Sequence, residues 1–386
     1  MLKTTGKAGL NLLLLSWASL STAWAACPAD INNLAPGTWC EVANSNLKSV
    51  AYQWPSGVTY TQNGVGVDGV MDVWSGGAFD TKRGRLIVWG GGHFAYGGNE
   101  IYAFDINTLK WLRVMDPSVP PAENTTYASD GGPVSRHTYD VIEYVPGLDS
   151  LCSFGVPSLY SQSGIQNNTD CFNFGTMRWE RKADVPTMGY GSYSAVDPVT
   201  GNAWMFGSET GCYLSEWNPA TNVWTQRSNK VSCYDNTKTA TIDAKRRKFV
   251  AIGGGEVYSW DISSSGMIPW QSLSTSGANG IVSARNPGFD YDSVSDRLVA
   301  WDGGANVYSL NLDTLSWSLI TPAAANTVVP TAPNETGTYG RFRYIPSKNA
   351  FVVVNSVNQN VFIYKLSSSP GQLPPQTPAK PSVVIK

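Results

Sequence analysis

The sequence contains only two histidines, His93 and His137, and both occur in glycine-containing polar segments. His93 follows a run of three glycines, His137 directly follows Arg136, and glycines flank Tyr190. Imidazole and phenol groups transfer protons when their pKa values are tuned. Arginine binds a carboxylate through two parallel hydrogen bonds. These residue types predict acid–base chemistry on an anionic, hydroxyl-rich ligand.

An internal repeat of ~50 residues decides which of these segments become neighbours. Each repeat contains an apolar run that ends in glycine, as in residues 87–92, 205–207 and 251–255. A tryptophan then closes a short segment after a turn, and these tryptophans are Trp111, Trp179, Trp224, Trp270 and Trp317. The pattern predicts blades of four antiparallel strands, named a to d from the centre of a ring outwards.

These repeats resemble the kelch repeat and the propeller domain of galactose-oxidase-like proteins. The resemblance covers residues 36–366 and implies an all-β, kelch-like β-propeller. We count six four-stranded blades, beginning near residues 74, 135, 189, 236, 285 and 339. The last blade lacks a fourth strand, and residues 36–45 form an orphan strand. We therefore expect this N-terminal strand to complete the last blade, because closure removes exposed sheet edges.

Propeller geometry converts these positions into a site. The b–c loops and the segments entering strand a emerge on one face, and strand a lines the central channel. His93 and His137 therefore belong on one rim, and the catalytic candidates are His93, His137, Tyr190 and Arg136. The same rule gives the substrate-binding candidates, which are Tyr96, Asn99, Tyr139, Tyr234, Arg285, Asn286, Tyr339 and Arg341.

A structural role is the alternative for several of these residues. The glycines before His93 are typical of a kelch corner that needs positive φ, and His93 then caps a loop. Arg341 and Arg343 alternate along one strand, so one or both can pair internally with an acidic neighbour.

Residues 1–25 are typical of a secretory signal peptide, with two lysines, an apolar run at 10–20 and a small-residue cleavage site. We expect an exported protein, either secreted or periplasmic. Acylation at Cys27, as in a lipoprotein, is the alternative. Residues 26–366 form the predicted propeller, and residues 367–386 are rich in proline and serine, which predicts an extended or disordered tail. No segment after the signal peptide is apolar for long enough to span a membrane.

All six cysteines follow the signal peptide, and an even number in an exported chain favours disulfides. Their close sequence pairs predict Cys27–Cys40, Cys152–Cys171 and Cys212–Cys233. Metal binding by cysteine is the alternative, although no CxxC spacing occurs. We expect no metal and no cofactor.

The net charge is −2 and 15% of the residues are charged, which argues against a nucleic-acid partner. Fifteen tryptophans and eighteen tyrosines have two explanations, namely stacking on a ligand and packing between blades. We expect a monomer whose partner is an acidic polysaccharide or another glycan.

Three classes of function fit these residues. A polysaccharide lyase that cleaves a uronic-acid glycan by β-elimination needs a group that neutralises the carboxylate, a base for the C5 proton and an acid for the leaving oxygen. Arg136, either histidine and Tyr190 supply these groups, and their types are similar to those of propeller polysaccharide lyases. A non-catalytic propeller that binds a glycan or a protein is the second class. A copper radical oxidase is the third, but the Tyr-His pairing of that family is absent.

Overall fold

The computed structural model describes residues 25–207, 212–231 and 236–366. Within these residues six sheets form a closed β-propeller, which confirms the predicted fold class. The predicted signal peptide up to residue 24 and the tail at 367–386 lie outside the described residues. No helix in the described part of the chain combines the length and apolar character that a membrane crossing requires.

The strands follow the predicted blades closely. β1 (Thr38–Glu41) comes first in the chain and belongs to the last blade. Blade 1 contains β2 (Ala78–Asp80), β3 (Arg85–Val88), β4 (Ile101–Asp105) and β5 (Lys110–Met115). Blade 2 contains β6 (Ile142–Val145), β7 (Ser150–Leu159), β8 (Gln162–Asn173) and β9 (Arg178–Lys182). Blade 3 contains β10 (Tyr193–Val196), β11 (Ala203–Phe206), β12 (Leu214–Asn218) and β13 (Val223–Gln226).

The second half of the ring repeats this order. Blade 4 contains β14 (Thr239–Asp243), β15 (Lys248–Gly253), β16 (Glu256–Asp261) and β17 (Gln271–Ser272). Blade 5 contains β18 (Ser276–Gly277), β19 (Gly288–Asp292), β20 (Arg297–Trp301), β21 (Val307–Asn311) and β22 (Ser316–Ile320), and β18 adds a parallel fifth strand beside β22. Blade 6 contains β23 (Phe342–Ile345), β24 (Ala350–Val353) and β25 (Phe362–Lys365). The helices are short: α1 (Gly69–Asp72) and 3₁₀ turns at Ile31–Asn33, Leu47–Val50, Gly66–Asp68, Pro146–Leu148, Asn279–Ser283 and Tyr339–Arg341.

The N-terminal strand closes the ring, as the orphan strand predicts. β1 pairs antiparallel with β25, and the register places Thr38 opposite Lys365 and Glu41 opposite Phe362. The indole nitrogen of Trp39 also donates a hydrogen bond to the carbonyl oxygen of Ala305 in blade 5, at 2.8 Å. The closing strand is therefore fixed to two blades.

Blade packing explains most of the aromatic excess. Six tryptophans are less than 2% exposed and lie in the layers between sheets: Trp39, Trp89, Trp204, Trp217, Trp260 and Trp301. Large flat rings fill the wedge between adjacent sheets with few rotatable bonds, so they suit this position. Trp270 is different, because 44% of it is exposed.

Two of the predicted disulfides are present. Cys27 and Cys40 have Cα atoms 4.8 Å apart, and Cys152 and Cys171 are a cross-strand pair of β7 and β8 with Cα atoms 4.0 Å apart. The third predicted pair, Cys212–Cys233, includes a residue outside the described part of the chain and stays a prediction.

Arginine–aspartate pairs join neighbouring blades at the a–b turns. Arg246 of blade 4 contacts Asp296 of blade 5 at 2.7 Å, and it also contacts Asp313 and Asp243. The Arg246 side chain is only 15% exposed, so solvent screens this network less than an isolated surface pair.

Replacing Arg246 with alanine is expected to lower the free energy of unfolding by about 2 kcal/mol, because three carboxylates then lose their shared cation. The matched control is Lys245→Ala, since Lys245 contacts the same Asp296 but its side chain is 64% exposed. Urea unfolding should show a loss of less than about 0.5 kcal/mol for the control. Equal losses for the two variants would contradict a stabilising network at this turn.

Candidate functional site

Both histidines lie on one rim of the channel. Strand a of every blade runs from this rim, here called the top face, to the a–b turns on the opposite, bottom face. Nδ1 of His93 is 2.7 Å from Nε2 of His137, and the two ring centroids are 4.8 Å apart. His93 is half-buried and His137 is buried. The only two imidazoles of the sequence therefore form one contacting pair.

The glycine run before His93 makes this contact sterically feasible. Gly90 and Gly92 both have positive φ. A Cβ atom on Gly90 would lie 2.6 Å from the carbonyl oxygen of Arg136, and one on Gly92 would lie 2.5 Å from the side chain of Val73. Only glycine allows the b–c loop of blade 1 to approach the segment that enters blade 2 so closely. The glycine run therefore has a structural role as a corner, and the same corner brings the two histidines into contact.

A long hairpin of blade 2 supports the pair from the other side. Residues 153–155 also fit the repeat pattern of an apolar run that ends in glycine, which predicts a strand end at Gly155. Instead, β7 continues to Leu159 because Gly155, with φ of 77°, adopts a bulge and not a corner. The backbone N–H of His137 donates to the carbonyl oxygen of Ser158, and that of Phe94 donates to the carbonyl oxygen of Tyr160. The hairpin therefore holds both histidine segments by backbone hydrogen bonds.

Four bulky aromatic residues at or near the histidines have left-handed backbone conformations. Trp74 has φ of 45°, Phe94 has φ of 60°, Tyr139 has φ of 40° and Tyr339 has φ of 51°. The ring centroid of His137 is 5.2 Å from that of Trp74 and 5.6 Å from that of Tyr139. Tyr339 continues the series, with its ring centroid 6.1 Å from that of Tyr139. Such conformations are unusual for large side chains and are concentrated at functional sites.

The histidine pair is neutral at pH 7. Burial, followed by the neighbouring His93, lowers the pKa of His137 to about 3. Burial also lowers the pKa of His93. In a neutral pair one ring donates to the other, and Nδ1 of His137 has no hydrogen-bond partner among the described residues. When Nδ1–H of His93 donates to Nε2 of His137, Nε2 of the half-buried His93 is the nitrogen of the pair that can accept a proton.

Further buried polar atoms near this rim lack partners. The hydroxyl of Tyr339 and Oδ1 of Asp140 form no hydrogen bond with any described residue, although both side chains are buried. Burial raises the pKa of each group well above its ordinary value, and the neighbouring Asp140 adds to the rise for Tyr339. Buried polar groups are normally hydrogen-bonded, so these two atoms are available to polar atoms of a ligand.

Arg136 does not lie where sequence analysis expects it. It is fully buried, its ion pair with Asp170 is 3.1 Å long, and its guanidinium stacks over the ring of Trp89 at 5.2 Å. A guanidinium in this setting cannot reach a substrate carboxylate on the rim. Its partner Asp170 lies in β8, so Arg136 anchors the entry to blade 2.

Arg341 is also internal. It is fully buried and donates to carbonyl oxygens of Ser75, Gly337 and Val354, so it joins blade 6 to blade 1. The expectation that an arginine of this strand pairs with an acidic neighbour holds for Arg343, whose Nη2 lies 3.3 Å from the Glu143 carboxylate.

Burial also separates three substrate-binding candidates from the rim. Tyr96 lies in the core between blades 6 and 1 and donates to Glu100. Asn99 uses its amide on Ser118 and Pro133, and Asn286 donates to the carbonyl oxygen of Thr336. A loop position alone does not tell whether a side chain turns inwards.

Other candidates remain accessible. Tyr190 is half-buried and its hydroxyl is 3.4 Å from the hydroxyl of Ser158. Arg285 is exposed, donates to Asn236 at 2.9 Å and acts electrostatically on Tyr339. Tyr234 lies outside the described residues.

Sequence analysis missed Trp74, Ser158 and Asp140 as members of this rim. A signal for Trp74 does exist, because it stands shortly before strand a of its blade, as Tyr139 and Tyr339 do in theirs. The role of Ser158 had no such signal, since it depends on the unexpected length of the blade 2 hairpin.

No family model matches the chain, and no curated protein matches it either. Within the described residues, no group of three or more histidine, cysteine, aspartate or glutamate side chains is arranged to hold a metal ion. The functional interpretation therefore depends on the geometry of the top-face rim.

Proposed function

We propose that this protein is an exported carbohydrate-active enzyme, a polysaccharide lyase that cleaves a uronic-acid glycan by β-elimination at the top-face rim. The observation that carries the proposal is the contacting pair of neutral imidazoles, one half-buried and one buried, at the mouth of the channel. A neutral imidazole is a competent general base near neutral pH.

The half-buried His93 suits the base better than the buried His137. In the proposed arrangement, Nε2 of His93 takes the C5 proton while its Nδ1–H donates to Nε2 of His137. The buried ring then orients His93 and stabilises its charged form, as the orienting partner does in other base pairs. His137 is thus a positioning residue.

Accessible residues bind the substrate carboxylate and protonate the leaving oxygen. Arg285 is the exposed arginine beside Tyr339 and replaces Arg136 as the group that binds the substrate carboxylate. Tyr190, accessible beside Ser158, donates the proton to the leaving oxygen. Base removal of the C5 proton forms the C4–C5 double bond as the C4–O bond breaks, and water, metal and redox partners are not consumed.

Export, a kelch-type ancestry and a monomeric state belong to the same proposal. The two disulfides are compatible with an extracytoplasmic compartment. The glycine corners and recurrent tryptophans support the kelch resemblance.

A non-catalytic glycan-binding propeller is the second candidate. The specific observation in its favour is the half-buried ring of Trp74 beside His137, because an accessible aromatic face can stack on a sugar ring. The copper radical oxidase gains no support, since that chemistry needs a cysteine cross-linked to tyrosine and Cys27, Cys40, Cys152 and Cys171 form disulfides.

A panel of acidic polysaccharides, including alginate, polygalacturonate and glycosaminoglycans, separates these candidates. A lyase generates a double bond conjugated to the carboxylate, so ultraviolet absorbance should rise as chain length falls. Binding without any fall in chain length would favour the binding propeller. A fall in chain length without the absorbance would identify a hydrolase and contradict the elimination.

A further inference from the structure

The bottom face carries a cavity that is separate from the histidine rim. Its volume is about 560 Å³, and strand a or the a–b turn of every blade contributes to its lining. Sites for small molecules in proteins typically have volumes of about 300–1,000 Å³. None of the rim residues named for the proposed function lines it.

The entrance of this bottom-face cavity is apolar. Exposed residues of the a–b turns surround it, namely Pro146, Pro198, Val199 and Pro346. Val199 is 63% exposed, which is high for a β-branched apolar side chain. An apolar wall around a few polar groups is the usual construction of a ligand pocket.

The floor of the cavity is acidic. Glu143 and Asp290 contribute two carboxylates, and Arg343 contributes one guanidinium. The positive charge of Arg343 is shared, because it also donates to the carbonyl oxygens of Gly77 and Gly340. The lining thus carries a formal excess of negative charge.

The two carboxylates differ in how fully they are used. Asp290 accepts hydrogen bonds of 2.8–2.9 Å from the hydroxyl of Thr241 and from two backbone N–H groups. Glu143 receives only contacts of 3.3 Å, from Ser194 and Arg343. Charge-assisted hydrogen bonds to a carboxylate are normally about 2.7–2.9 Å long. Glu143 therefore retains the capacity to accept a stronger donor.

Asp140 is a third carboxyl group that interacts with the acidic floor. It is 2% exposed, its Oδ1 has no hydrogen-bond partner among the described residues, and it interacts electrostatically with Glu143 and Arg343. A single guanidinium thus serves three carboxyl groups, of which Glu143 and Asp140 are buried and Asp290 is half-buried. A further donor with a positive charge would relieve their mutual repulsion.

We propose that the bottom-face cavity binds a small organic cation, with an ammonium group on Glu143 and an apolar body against the collar of Pro146, Pro198, Val199 and Pro346. No residue with a role in the lyase proposed for the top face lines this cavity, although Asp140 interacts electrostatically with Tyr339 as well as with Glu143.

Three probes of similar shape test the proposal: phenethylamine, phenethyl alcohol and 3-phenylpropionate. Calorimetric or NMR titration at pH 8 should give a Kd of about 1 mM or tighter for the amine. We expect affinity about tenfold weaker for the alcohol and no binding of the carboxylate, because the floor favours one sign of charge. Equal affinity for amine and alcohol, or no binding of any probe, would overturn the proposal.

Glu143→Gln isolates the charge. It should weaken amine binding about tenfold and leave alcohol binding unchanged, a difference that misfolding cannot produce. The matched control Glu180→Gln removes an exposed carboxylate from β9 and should change neither affinity. Val199→Ala should weaken both probes, since it shortens the collar. His93→Ala should leave amine binding intact whatever its effect on glycan cleavage, so the two proposals fail separately.

Discussion

Replacing His93 with alanine is expected to reduce turnover of the acidic glycan by ~10²-fold or more, the scale of a lost general base. The residue is half-buried on the rim and makes its side-chain hydrogen bond with His137, so folding should be little affected. Initial rates of ultraviolet absorbance at saturating substrate measure kcat, and thermal unfolding checks the fold. Lys82→Ala, on an exposed side chain at the a–b turn of blade 1, is the control with unchanged turnover.

A substitution of the buried His137 tests the same histidine pair. If its Nε2 accepts from His93, then His137→Phe removes a bond that stabilises the charged form of His93 and lowers the His93 pKa further. Activity requires neutral His93 and is lost as pH falls through that pKa. The acid limb of the pH–rate profile should therefore move to lower pH as kcat falls. Wild-type turnover in His93→Ala would refute the assigned base.

Arg343→Met is expected to lower the free energy of unfolding by about 3–5 kcal/mol, the cost of leaving a buried charge without its partner. Arg343 and Glu143 are both nearly inaccessible and join blades 6 and 2 across the channel. The double variant Arg343→Met/Glu143→Gln should recover most of this loss, because it also removes the isolated carboxylate. Urea unfolding measures all three proteins.

The pH dependence of this loss has a definite sign. Burial raises the pKa of Glu143 to about 7 in the folded protein, above its ordinary value of 4.5. A carboxyl whose folded pKa is raised contributes stability at low pH that disappears as pH rises towards the folded pKa. Without Arg343 the charged form costs more, so the destabilisation should be larger at pH 8 than at pH 5. A loss independent of pH would indicate that Arg343 acts through packing alone.

The sequence predicted the six-bladed ring well, because the same pattern of glycines and tryptophans recurs along the chain. Glycine corners in five repeats and the unpaired strand around Trp39 specify blade number and closure, and the strand pairing of β1 with β25 agrees. The length of the blade 2 hairpin was not predictable in this way. Gly155 occupies a corner in the repeat pattern, but its positive φ serves a bulge in a continuing strand.

The candidate site was predictable only to the level of loops. Topology correctly places His93 beside His137, because loop and segment positions follow from strand order. It cannot specify side-chain direction, so Arg136 and Arg341 were assigned to the rim although each is buried among internal acceptors. Buried arginines in this channel hold neighbouring blades together by hydrogen bonds. Composition does not distinguish such arginines from arginines that bind a ligand.

Ring closure also determines when the first strand can pair during synthesis of the chain. The side-chain amide of Asn360, shortly before the last strand β25, donates a hydrogen bond to the carboxylate of Glu41 in the first strand β1. The two residues are 319 positions apart along the chain. Synthesis at about 5–20 residues per second means that the first strand waits roughly 15–60 s for its partner to exist. During that interval its edge is open to any other extended chain. A holding chaperone, or delivery of the unfolded chain across a membrane before closure, would protect it.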